Sequence, residues 1–105
     1  MIVINLQRIA EKLDTDINSA KEWVRKFAAY SPNYLIPLNE YIAKRDYPGI
    51  ASIAYKIKSA SALLGIFDLM ELADHVYQAA KTTADIDYLE KIKEIEQAFE
   101  FLKTI

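Results

Sequence analysis

Residues 53–65 read IAYKIKSASALLG, and the period at which apolar residues recur through them decides the fold. At about 100° per residue, Ile50, Ile53, Ala54, Ile57, Ala60 and Leu64 fall on one side of a helix running from about Pro48 to Leu64, which makes that side the core face. Tyr55, Ser59 and Ala62 fall roughly opposite, with Ala51 and Lys58 on the adjoining flank. The outer face of a helix usually carries long charged side chains; here one aromatic ring stands among small residues. Small residues let another helix or domain approach closely, and tyrosine is a common interface anchor. One reading is therefore a docking surface centred on Tyr55. The other is an ordinary solvated face, because single apolar residues on a surface need no special explanation. Gly65, without a Cβ, can supply the left-handed residue that ends the helix.

Working outward, the apolar period is helical throughout. Ile4, Leu6, Ile9, Ala10 and Leu13 predict a short N-terminal helix capped by Asn5, covering one end of a bundle. Asp16 can cap a second helix with Ile17, Ala20, Trp23, Val24 and Phe27 on one face, stopping before Ser31-Pro32. Trp23 and Phe27 are read as core rather than as a cofactor box. Leu35, Leu38, Tyr41 and Ile42 continue toward Arg45, and Pro37, lacking a backbone donor, predicts a bend. Asp46-Tyr47-Pro48-Gly49 is a turn signal. On the C-terminal side, Leu69, Leu72, Ala73, Val76 and Ala80 predict a helix with Asp68 and Glu71 at capping-box spacing. After the connection Thr82-Thr83-Ala84-Asp85 comes a final helix carrying Leu89, Ile92, Ile95, Phe99 and Leu102, with Asp87 and Glu90 as a second candidate capping box. Short connections favour antiparallel neighbours. The expected fold is all-α, an up-and-down antiparallel four-helix bundle with an additional short N-terminal helix.

Composition supports one folded domain spanning 1–105. The 105 residues are 52% hydrophobic with only two glycines and three prolines, enough to bury a core and rich in helix formers. A net charge of −2 and the lack of a basic stripe give no reason to expect nucleic acid. The absence of cysteine removes disulfides, zinc-thiolate sites and thiol catalysis, and fits a cytoplasmic location. The apolar start is too short for a signal peptide, and no run approaches the ~18 apolar residues of a membrane span. Met1 at the start points to a free-standing chain, expected to be a monomer.

The segment Tyr55 to Gly65 resembles the active helix of a histidine phosphotransfer (HPt) domain, whose pattern is His-x-Leu-Lys-Gly-Ser-x-x-x-x-Gly. Tyr55 stands at the phosphorylated histidine, Ile57 at the apolar position, Lys58 at the lysine, Ser59 at the first glycine and Gly65 at the closing glycine. The resemblance covers the order of helices, with only this segment specific. It implies a phosphorelay-type module that has lost its nucleophile. Histidine titrates near ~6.5 and offers a neutral imidazole at cellular pH, whereas a tyrosine phenol titrates near ~10 and stays protonated without a base. A phosphotyrosine ester would also be too stable to return its phosphoryl group to an aspartate. Ser59, small but not absent, crowds the place where a partner's active site would close in.

The resemblance implies a non-enzyme of two-component signalling, binding a response-regulator receiver domain or a histidine kinase through Ala51, Tyr55, Lys58, Ser59 and Ala62, with no cofactor. Lys58 would either touch the acidic pocket of a receiver or simply be a solvated lysine. The alternative is a structural or adaptor bundle with an unrelated protein partner. A third possibility is phosphotransfer through His75, the single histidine, which has Gln78 and Ala79 where the pattern needs lysine and a small residue. His75 is better read as an exposed or boundary residue. No second His or Cys is present to complete a metal site with it. Asp85 and Asp87 are read as charges complementing a helix N-terminus. No glycine-rich phosphate loop or Gly-x-Ser-x-Gly elbow is present.

Overall fold

The periodicity of the sequence becomes helices at nearly every place it predicts them. The computed structural model describes residues 2–105 and contains α1 (Leu6–Lys12), α2 (Ile17–Ala29), α3 (Pro32–Ala43), α4 (Tyr47–Leu64), α5 (Phe67–Lys81) and α6 (Tyr88–Lys103). None of these helices is long and apolar enough to cross a membrane. The body measures 42 × 20 × 20 Å. The longer helices must therefore lie along its long axis, since at 1.5 Å per residue they exceed the short dimension.

Start signals act locally, and most behave as expected. The side-chain oxygen of Asn5 accepts from the Arg8 N–H at 3.1 Å, that of Asp16 from Ser19 at 2.7 Å, and that of Asp87 from Glu90 at 3.1 Å. Each satisfies one of the donors that a helix start leaves open. Asp46 does the same for α4, accepting from the Gly49 N–H at 3.0 Å. The segment Asp46–Gly49 is thus already the first turn of α4. The chain reverses just before it, where Arg45 has φ 52°.

Between α2 and α3 the path is almost continuous. Ser31 donates its N–H to Ala28 O and Asn33 donates to Tyr30 O, both one residue tighter than α-helical spacing. Pro32 occupies the first turn of α3, where a missing donor does no harm. The helix then runs on through Pro37 to Ala43, so the interruption lies at Tyr30–Ser31 rather than at the proline inside.

The helices close on one core. α4 packs most extensively on α5; α3 packs on α4 and α6, α2 on α6 and α1, and α5 also packs on α6. Ile9, Leu38, Ile50, Ile57, Ile66, Leu69, Ile92, Ile95, Phe99 and Leu102 are wholly buried. Phe27, from α2, and Phe99, from α6, meet edge to face at 5.2 Å between centroids. α1 packs against α2 with Ile9 buried, its Cγ1 3.8 Å from where a Cβ on Gly65 would stand.

Four expectations are corrected. Trp23 is not core but 54% exposed. The buried stripe of α2 is Ala20, Val24, Phe27 and Ala28; Trp23 sits roughly a quarter turn from its centre, with the Lys26 ammonium 5.5 Å from its ring centroid. Ile17 follows the stripe but is the first residue of α2 and stays exposed. In α6 the buried row is Tyr88, Ile92, Ile95, Phe99 and Leu102, leaving Leu89 outside by about the same angle. Asp68 does not cap α5, which begins at Phe67 after Ile66 with no side-chain cap. Its carboxylate instead accepts the Val3 N–H at 2.7 Å, tying the N-terminal segment to α5.

Candidate functional site

α4 is capped at both ends, and its packing against α3 and α5 leaves one side facing out. Asp46 and Pro48 define the start. At the other end Gly65 takes φ +76°, allowing its N–H to reach Ala62 O and that of Ile66 to reach Ser61 O at 2.8 Å. This pair of bonds is the Schellman ending expected of a left-handed glycine. Ile50, Ile53, Ala54, Ile57 and Leu64 are buried, as the period requires. Ala60 is only half-buried; Ser61 is the fully buried member of that turn, its hydroxyl donating to Ile57 O at 2.7 Å. A buried hydroxyl bonded to its own helix has no unmet polar group to cost stability.

The predicted docking residues emerge on one side. Tyr55 is 52% exposed, Ser59 is exposed, and Ala51, Lys58 and Ala62 are half-buried beside them. α5 adds what the sequence reading did not include. The Tyr77 ring lies 5.4 Å from that of Tyr55, tilted by 53°. Lys58 Nζ meets Asp74 Oδ1 at 2.8 Å. The ammonium groups of Lys58 and Lys81 stand 5.4 and 5.5 Å from the Tyr77 centroid, within cation–π range. The hydrogen bond from Lys58 holds the Asp74 carboxyl below its ordinary value, and the same bond holds the Lys58 ammonium above its own. Gln78 Nε2 approaches Asp74 Oδ1 at 3.4 Å.

Lys58 pairs with Asp74 across the α4–α5 seam while its side chain keeps about a third of its surface in solvent (31%). Asp74, Tyr77 and Lys81 recur at helical spacing beside the apolar stripe of α5, a visible signal. That they lie against Tyr55 depends on which helix α5 packs against.

Among the described residues no side chain accepts a hydrogen bond from the Tyr55 hydroxyl, and a phenol needs a base beside it to act as a nucleophile. His75 is exposed on the other side of α5, where it lines a groove with Glu71, Lys91 and Glu94. Among the described residues no group of three or more His, Asp or Glu side chains is placed to hold a metal ion. Comparison of the chain with models of protein families finds no match, and neither curated proteins nor solved structures match it.

Proposed function

We propose that this chain is an HPt-like module of phosphorelay signalling that does not carry the phosphoryl group. In this reading it binds a receiver domain, or a kinase, through the face around Tyr55. The bundle of the proposal takes α2 and α3 as one interrupted helix, with α4, α5 and α6 as the other three and α1 as the end cover. The observation that carries the reading is the joint placement on α4: Tyr55 half-exposed in mid-helix, small Ser59 and Ala62 beside it, and left-handed Gly65 at the stop. That is the spacing of the phosphotransfer pattern, with an aromatic anchor at the acceptor position. Tyr55 and Tyr77 together offer adjoining rings, the kind of surface that anchors protein interfaces.

A binding titration of the chain against a panel of receiver domains tests this. The expected result is micromolar binding to a receiver, lost in Tyr55→Glu or Ala62→Arg while the circular dichroism spectrum is unchanged. Absence of binding across a panel that includes its natural neighbours would sink the reading. One observation favours the adaptor alternative, in which the partner has nothing to do with phosphorelay: Lys58 is already paired with Asp74, so the cation of the pattern has an internal use. The adaptor reading predicts no receiver binding and indifference to both substitutions.

A further inference from the structure

Away from the Tyr55 face, a groove of about 510 Å³ lies between α5 and α6. Its apolar wall comes from Leu72, Ala98 and Phe101, the last 43% exposed. Its charged lining is unbalanced. Asp68, Glu71 and Glu94 contribute three carboxylates against the single ammonium of Lys91, which already bridges Glu94 at 3.4 Å. Among the described residues no cation pairs with Glu71. His75 stands exposed at the edge of the groove.

The chain itself shows how a peptide sits here. Residues 2–5 have no regular secondary structure and alternate in exposure: Ile2 and Ile4 are half-buried, while Val3 is 72% exposed. Ile2 enters the lining of the groove, and the Val3 N–H donates to Asp68 Oδ2 at 2.7 Å. One end of the groove is thus lined by a short non-helical segment that contributes an apolar side chain and sets a backbone donor on a wall carboxylate. Toward His75, Lys91 and Glu94 the groove continues the same pairing of apolar wall and carboxylates.

We propose that the α5–α6 groove is a second docking site, independent of the Tyr55 face, for a short basic segment of a partner protein. An apolar side chain of that segment seats between Leu72 and Ala98, continuing the line begun by Ile2. Flanking lysine or arginine residues meet Glu71 and Glu94. Attraction to the excess carboxylates selects basic over acidic segments and speeds encounter, while the apolar contact supplies the affinity.

The test is selection of short random peptides displayed against the intact chain, with backbone amide shifts recorded for the selected peptides. The expected peptides share an apolar residue flanked by lysine or arginine. They shift the amides of Leu72, His75 and Ala98, leave those of Tyr55 and Ser59 unmoved, and bind roughly tenfold or more weakly to Glu71→Lys/Glu94→Lys. Both substituted residues are exposed, so the double variant is expected to fold, and its circular dichroism verifies this. Failure to enrich any peptide, enrichment without a basic bias, shifts confined to another surface, or affinity unchanged by the charge reversal would each overturn the proposal.

Discussion

Replacing Gly49 by alanine should destabilise this protein even though alanine is the better helix former. Gly49 lies in the first turn of α4 with Tyr41 of α3 lying against it: a Cβ there would stand 2.5 Å from Tyr41 Cγ and Cδ1 and 2.8 Å from Cε1. Comfortable carbon contacts are about 3.5–4.0 Å, so the ring would have to retreat by about 1 Å. Those atoms are the root and near edge of the ring, which cannot swing clear without moving α3. Overpacking of this kind costs about 1–3 kcal/mol, against a helix-propensity gain of at most ~1 kcal/mol for glycine to alanine. The expected net loss is about 1–2 kcal/mol, a fall in Tm of roughly 4–15 °C for a domain of this size. In a Tyr41→Ala background the obstacle is gone and the sign should reverse, with Gly49→Ala now stabilising by up to ~1 kcal/mol. Urea unfolding followed by far-ultraviolet circular dichroism is the suitable assay, since Trp23 is largely exposed and its emission would report the transition weakly. Stabilisation by Gly49→Ala alone, or destabilisation that persists without the Tyr41 ring, would refute the steric argument.

Gly65→Ala should also destabilise, by about 1–2 kcal/mol, but through backbone strain at φ +76°. The space beside it is adequate, so no second-site change should rescue it, and Gly65→Asn should cost less; thermal melts of the two variants check this. The Lys58–Asp74 pair should contribute constantly between the ordinary values of its groups, 3.8 and 10.5. Asp74 has a lowered folded value, so its contribution is present above 3.8 and is lost as pH falls through that folded value. Lys58 has a raised one, so its contribution is complete below 10.5 and is lost as pH rises through its folded value. The stability difference between the native chain and Asp74→Asn should therefore be flat from pH 5 to 9 and shrink in acid, with the Asp74 carboxyl carbon titrating below 3.8; a carboxyl that titrates at or above 3.8 would argue against the pair. Tyr55→His with Ser59→Gly should gain phosphate from a phosphorylated receiver if the phosphotransfer reading is right. A well-folded double variant that takes up none would count against that alignment.

The sequence carried the local features of α4 well. Its apolar residues return at helical intervals and its left-handed ending needs a glycine where Gly65 stands, whereas Asp46–Gly49 reads as a turn and proves to be the capped first turn of the helix. These are interactions within a few residues, and they are written in spacing. Trp23 and Leu89 were misplaced because a wide apolar stripe can be centred in more than one way; which residues define it depends on the neighbouring helix. Asp68 looked like a cap because its spacing to Glu71 allows one, and only the arrival of Val3, 65 positions earlier, gave it another use. Around Tyr55 the residues of α4 were legible, but Asp74, Tyr77 and Lys81 were not, since no local pattern states that α5 lies against that flank. The partial loss is systematic: contacts within a helix survive in the sequence, and contacts between helices must be seen.

The 42 × 20 × 20 Å outline has a hydrodynamic consequence. A particle twice as long as it is wide tumbles more slowly end over end than about its axis. Amide N–H vectors in a helix point along the helix, so those of α4, α5 and α6 lie near the slow direction. Their ratio of transverse to longitudinal nitrogen-15 relaxation should exceed that of the connections around Arg45 and Thr83. A partner bound along the side of the rod would round the particle and compress that spread, whereas one bound at an end would widen it. Relaxation rates alone could therefore distinguish lateral from terminal association before any interface is mapped.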